Sequence, residues 1–135
     1  MFDLVAFPPE TWLGATQLFL ALAVGHALAD FPLQGEFLAK CKNRHALKAL
    51  NDPERPPSIW VVCMLVHCLI HAGMVWWITG NFVFGLIELV VHFIIDVVKC
   101  EGYSSFNSDQ MLHFLCKLAY VGMAFAGITF CCCCG

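Results

Sequence analysis

Four stretches of this sequence carry titratable side chains four residues apart: His26 with Asp30, His67 with His71, Glu88 with His92 and Asp96, and Asp109 with His113 and Lys117. On an α-helix, residues i and i+4 share one face a turn apart, the arrangement that two ligands of one ion, or of adjacent ions, require. Neutral imidazole and carboxylate are ligands of zinc, iron and manganese. His26, Asp30, His67, His71, His92, Asp96, Asp109 and His113 are therefore read as the ligand pool of a divalent transition metal, zinc first, with iron and manganese as alternatives. The pool exceeds the four ligands of a closed zinc site. That surplus points to two ions, or to one ion with outer carboxylates that orient the histidines. Asp96 and Asp109 are the candidate catalytic carboxylates, since whichever is not ligating can take a proton from water. A lone histidine in an apolar helix is ordinarily an interhelical hydrogen-bond partner, and His–Asp hydrogen bonds without a metal are the structural alternative for the whole set.

The elements that must position these residues follow from composition. The chain has 135 residues, 60% hydrophobic and 13% charged, a balance that a soluble domain of this size cannot hide in its own core. Four windows approach the roughly 20 apolar residues needed to cross a bilayer core of ~30 Å: 11–31, 59–79, 82–98 and 109–131. The expectation is an all-α polytopic membrane protein, a four-transmembrane-helix bundle forming a single membrane domain over 1–135. Residues 1–10 contain no basic side chain, so no cleavable signal peptide is expected. The net charge of −3 and the seven basic residues give no nucleic-acid footprint. Membrane lipids are the expected surroundings.

Five of those seven basic residues, Lys40, Lys42, Arg44, Lys48 and Arg55, lie in the segment 33–57, which the positive-inside bias makes cytoplasmic and which leaves both termini outside. Phe37, Leu38, Cys41, Leu47 and Leu50 among these charges are compatible with a short interfacial helix or with a solvated loop. At ~1.5 Å per residue, His26, His67, His92 and His113 all fall roughly 6–12 Å below the cytoplasmic ends of their spans. Four helices of alternating direction thus deliver imidazoles to one layer, with Asp30, Asp96 and Asp109 nearer the surface and His71 and Glu88 deeper. Ionisable residues inside a bilayer cost roughly 2.5–3.5 kcal/mol each at a helix centre and ordinarily face the bundle.

Other features carry less. Gln34 and Gln110 read as capping or hydrogen-bonding amides near the mouth. Lys99 reads as an interface anchor, and Lys117 as a residue that pairs locally or snorkels. Trp12, Trp60, Trp76 and Trp77 read as interfacial anchors, and Gly122 with Ala126 as a packing face. The cysteines, including the run Cys131 to Cys134, read as small apolar residues rather than as a disulfide framework.

In order along the chain, His26-x3-Asp30-Phe31-x2-Gln34, His67-x3-His71, His92-Phe93-Ile94-Ile95-Asp96-x2-Lys99 and Asp109-Gln110-x2-His113 resemble the bacterial and phage integral-membrane family known as domain of unknown function 3307, over about 18–118. The four-cysteine terminus departs from that pattern. The resemblance implies a bacterial inner-membrane location. It also suggests a distant likeness to membrane-bound metal-dependent hydrolases, which carry His-x3-Asp elements on their spans. The leading expectation is a metal-dependent hydrolase at the cytoplasmic leaflet, acting on an unidentified substrate such as a lipid headgroup, a lipid-linked compound or a peptide. Transport of a metal ion or protons, haem held between two histidines, and a purely structural membrane role are the alternatives.

Overall fold

The Thr11 side chain accepts a hydrogen bond from Gly14 N–H at 3.0 Å and so caps α1 (Trp12–Asp30), which ends where Pro32 disfavours a further helical turn. In this computed structural model, which describes residues 7–50 and 54–130, the regular elements that follow are also helices. α2 (Gly35–Cys41) and α3 (Arg44–Leu50) are short. Asn43 starts α3 by accepting from the His45 and Ala46 N–H groups. α4 (Ile59–Thr79) runs until Gly80, whose φ of 65° lets its N–H reach Trp76 O at 2.7 Å. Asn81 then accepts from Val83 and Phe84 N–H and opens α5 (Phe82–Cys100), so a two-residue turn makes a tight helical hairpin. Ser105 accepts from Ser108 N–H and opens α6 (Phe106–Phe125).

The fourth window, expected over 109–131, is thus helical from Phe106 to Phe125. Ser105 supplies the start, and Gly127, at φ 77°, follows the end. The segment 33–57 is neither one interfacial helix nor a bare loop. Among its described residues, α2 and α3 turn Cys41 and Leu47 onto Cys63 of α4 and leave Phe37 and Leu50 exposed. Arg44 reaches Glu101 at 2.5 Å, tying α3 to the end of α5, and its guanidinium holds the Glu101 carboxyl below the usual carboxylate range. The run Cys131 to Cys134 lies outside the described residues.

α4 packs on α5 and α1, and α6 packs on α1 and α5. At the end remote from α2 and α3, Leu18, Leu22, Val75, Phe84, Tyr120 and Val121 form an apolar plug. Towards the α2–α3 end the interior turns polar: His26, His67, His71, Glu88, His92, Asp96, Asp109, His113 and Lys117 are buried. Leu20, Val24, Leu28, Leu65, Leu69, Val90, Ile94 and Leu115 point outward on the same helices. At that end the buried positions are polar and the outward ones apolar. α1 and α4 are each long and apolar enough to cross a membrane. The α4–α5 approach depends on Gly85, where a Cβ would lie 2.9 Å from Trp76 Cβ and 3.0 Å from Ala72 O.

Candidate metal centre

Each long helix turns its i, i+4 series inward. His26 and Asp30 occupy the end of α1, His67 and His71 the middle of α4, Glu88, His92 and Asp96 successive turns of α5, and Asp109, His113 and Lys117 successive turns of α6. The imidazoles form one continuous set. His71 stacks on His92 at 3.7 Å between ring centroids, and His92 on His113 at 4.1 Å. His67 lies 4.6 Å from His71, and His26 4.9 Å from His71.

His71 does not sit apart at a deeper level, as its position along the chain suggests. Helical side chains lean toward the N-terminus of their own helix. α4 starts at the α2–α3 end, so His71 leans back toward that end, whereas Asp30, on a helix of opposite direction, leans inward. They meet, with His71 Nε2 3.3 Å from Asp30 Oδ1.

Three groups have ligand atoms within 4.8 Å of one another and could hold a metal ion: Asp30, His67, His71 and His92; His26, His92 and His113; and Asp96, Asp109 and His113. In the first, His67 Nε2 is 3.4 Å from Asp30 Oδ1, His71 Nε2 is 3.3 Å from the same oxygen, and His92 Nε2 is 3.2 Å from His67 Nε2. Ligands bonded at about 2.0–2.1 Å around a tetrahedral zinc stand about 3.3 Å apart. His71 Nε2, 3.3 Å from Asp30 Oδ1, and Asp109 Oδ1, 3.6 Å from His113 Nε2, are buried but make no hydrogen bond of good geometry among the described residues. Leaving such an atom unsatisfied costs about 1–3 kcal/mol. Both atoms belong to the groups above, so the donor set suits a divalent ion.

The surrounding contacts orient these donors. Glu88 Oε1 lies 3.1 Å from His92 Nδ1, which leaves His92 Nε2 facing the centre. A carboxylate on the second nitrogen of a histidine is the usual support of a metal ligand. Asp96 links two groups, with Oδ2 3.3 Å from His67 Nε2 and Oδ1 3.3 Å from His113 Nε2. Gln110 donates to Asp30 Oδ2 at 2.8 Å, and its Oε1 lies 3.3 Å from His26 Nε2. Gln34 caps the end of α1 by donating to Asp30 O at 3.0 Å. Both amides thus act as hydrogen-bond donors that steady Asp30.

Three lysines complete the centre. Lys117 Nζ is 2.5 Å from Glu88, Lys99 Nζ 2.8 Å from Asp109, and Lys42 Nζ 2.6 Å from Asp96. Lys99 is therefore paired inward instead of anchoring the interface. Lys42 carries no periodic signal in the sequence. It lies between α2 and α3, and only the fold of that segment over the mouth brings it to a carboxylate 54 positions away.

The family described as "Protein of unknown function (DUF3307)" matches residues 18–130, most of the chain. No curated protein and no solved structure matches it.

Proposed function

The chain belongs to that family of proteins of unknown function, and we propose that it is a four-span protein of the bacterial cytoplasmic membrane that holds one or two divalent metal ions, zinc first, and uses them for hydrolysis at the cytoplasmic leaflet. The observation that carries the reading is that Asp30, His67, His71 and His92 bring ligand atoms within 4.8 Å of one another, the His67–Asp30, His71–Asp30 and His92–His67 pairs standing at 3.2–3.4 Å.

The spans would be α1, α4, α5 and α6. α5 and α6 contain Glu88, Asp96, Asp109 and Lys117, but all four are buried, and mean hydropathy does not distinguish inward from outward faces. The outward residues Leu86, Val90, Ile94, Leu112, Leu115 and Leu118 are exposed and apolar, as lipid requires. The basic segment around α2 and α3 favours the cytoplasm for that end, with both termini outside.

A bound divalent ion would supply Lewis acidity and lower the pKa of a water at the site. The chain's own residues would do the rest. His67, His71, His92 and Asp30 would form one ligand set and His26, Asp96 and His113 the other, which leaves Asp109 unligated. Asp109 Oδ1, lacking a hydrogen bond, is the better placed of the two catalytic carboxylates to accept the proton of water, and Asp96 would hold the two sets together. Transport is the weaker reading, because the apolar plug of Leu18, Leu22, Val75 and Phe84 closes the far end. Haem is weaker still, because the imidazoles stack directly on one another and leave no gap for a porphyrin.

Metal analysis of the detergent-purified protein tests the proposal. Zinc, iron or manganese should copurify near stoichiometrically and be lost from His67→Ala and His92→Ala. A metal-free wild type that also fails to take up these ions on reconstitution would end it.

A further inference from the structure

The mouth of the centre is a cavity of about 230 Å³ whose walls include Asp30, Gln34, Lys42, Asn43, Lys99 and Phe106. One wall comes from the turn between α2 and α3, the other from the end of α5 and the start of α6. It opens directly onto a proposed metal ligand, Asp30. Two lysines line it from opposite walls, Lys42, buried to 6% exposure, and Lys99, whose side chain is 28% exposed, with their ammonium groups paired to Asp96 and Asp109. The Lys99 ammonium also sits 5.0 Å above the Phe106 ring, which fixes it at the rim.

Cations beside a metal site call for an explanation, since at short range in a poorly screened interior they repel the ion. The charge balance supplies one. Asp30, Glu88, Asp96 and Asp109 face Lys42, Lys99 and Lys117, which with neutral imidazoles leaves one net negative charge. A single divalent ion turns the centre net positive, and a second makes it strongly so. An anion in contact with both the metal and the lysines would relieve that excess. A neutral ester or peptide would leave it in place.

Resting on the metal reading above, we infer that the mouth between Lys42 and Lys99 is a subsite for a phosphate group, and that the substrates are phosphate esters. With Asp96 given over to a metal, the Lys42 ammonium that now holds its Oδ2 would be left without that partner and would face the incoming phosphate, for which lysine is an effective point charge. In the reaction, water oxygen bonds to phosphorus and the phosphorus–ester oxygen bond breaks. One water proton passes to Asp109 and from there to the departing alcohol oxygen. The other hydrogen stays on the phosphate.

The test is titration of inorganic phosphate into zinc-loaded full-length protein in detergent, for wild type, Lys42→Gln and Lys99→Gln, with zinc content recorded for each. The wild type should bind phosphate, and each variant should bind it at least tenfold more weakly while retaining zinc. Lys42→Gln should hold zinc as tightly as wild type or more so, because an ammonium no longer competes for Asp96. Lys42→Arg, which keeps the charge, should recover most of the phosphate affinity. Displacement of bound phosphate by phosphatidic acid in mixed micelles would mark a lipid headgroup as the source, and displacement by glycerol 3-phosphate a soluble ester. Zinc-loaded protein that ignores phosphate, or binds it equally in all variants, or from which neither ester displaces it, overturns the inference and leaves the metal reading standing. Failure of the wild type to hold zinc removes both.

Discussion

Glu88 holds His92 by its outer ring nitrogen, Oε1 to Nδ1 at 3.1 Å, and is itself held by Lys117 at 2.5 Å. His92 Nε2 is thereby directed at His67 Nε2, 3.2 Å away on another helix. Glu88→Gln keeps a side chain of the same size but weakens the acceptor. Loss of such support typically costs 10–100-fold in metal affinity. Competition against a calibrated chelator should therefore give zinc affinity lowered by about that factor, with stoichiometry unchanged at saturating zinc. An affinity equal to wild type would mean that Glu88 and Lys117 are only a packing pair.

Metal retention should fall with acid. Imidazole ligates only when neutral, and its ordinary pKa is about 6.5, so protons and metal compete for the same nitrogens. Zinc bound at about pH 7.5 should be released progressively as the pH is lowered and be taken up again on return, and burial, which disfavours the imidazolium, places that release below the range of a free imidazole. Dialysis at a series of pH values followed by metal analysis checks this. Retention that does not change with pH at all would argue that the imidazoles are not the ligands.

Gly85 and Gly73 separate close packing from helix propensity. A methyl at Gly85 would meet Trp76 Cβ at 2.9 Å and the Ala72 carbonyl at 3.0 Å, whereas at Gly73 nothing lies within 4 Å. Gly85→Ala must push α4 and α5 apart and should lower stability by about 1–3 kcal/mol, the usual cost of overpacking. Gly73→Ala should be neutral or stabilising by up to about 1 kcal/mol. Thermal unfolding in detergent would compare them, and equal midpoints would contradict the tight α4–α5 contact.

Topology is open to a direct assay. With the α2–α3 segment inside, alkaline phosphatase fused after Gly135 should be active and green fluorescent protein at the same position dark. The pattern should reverse for fusions made in the segment 51–53. Reversed results at both sites would put the metal centre at the outer face and would move the proposed substrate with it.

Much of the centre was legible before any fold was known, for a reason that lies in helix geometry. The i, i+4 repeat needs only a helix to bring His26 and Asp30, or Glu88, His92 and Asp96, onto one face. The cost of a bare charge in apolar surroundings then says which way that face must point. The termini of α4 were equally readable, from Pro56-Pro57 before it and Gly80 after it. α6 begins at Phe106, three residues before the expected window, because the Ser105 side chain caps it there.

Sequence alone determined what could be propagated along one helix: helical segments, the inward face of each, and the residue types able to hold a metal. Tertiary structure decided whatever depends on the relative direction of two helices or on a connecting segment. Side chains lean toward the start of their own helix, so antiparallel neighbours converge, and His71 meets Asp30 although the two differ in depth along the chain. Lys42 belongs to no periodic pattern. Its contact with Asp96 exists because α2 and α3 fold over the mouth and carry its ammonium there, and local spacing holds no record of that closure.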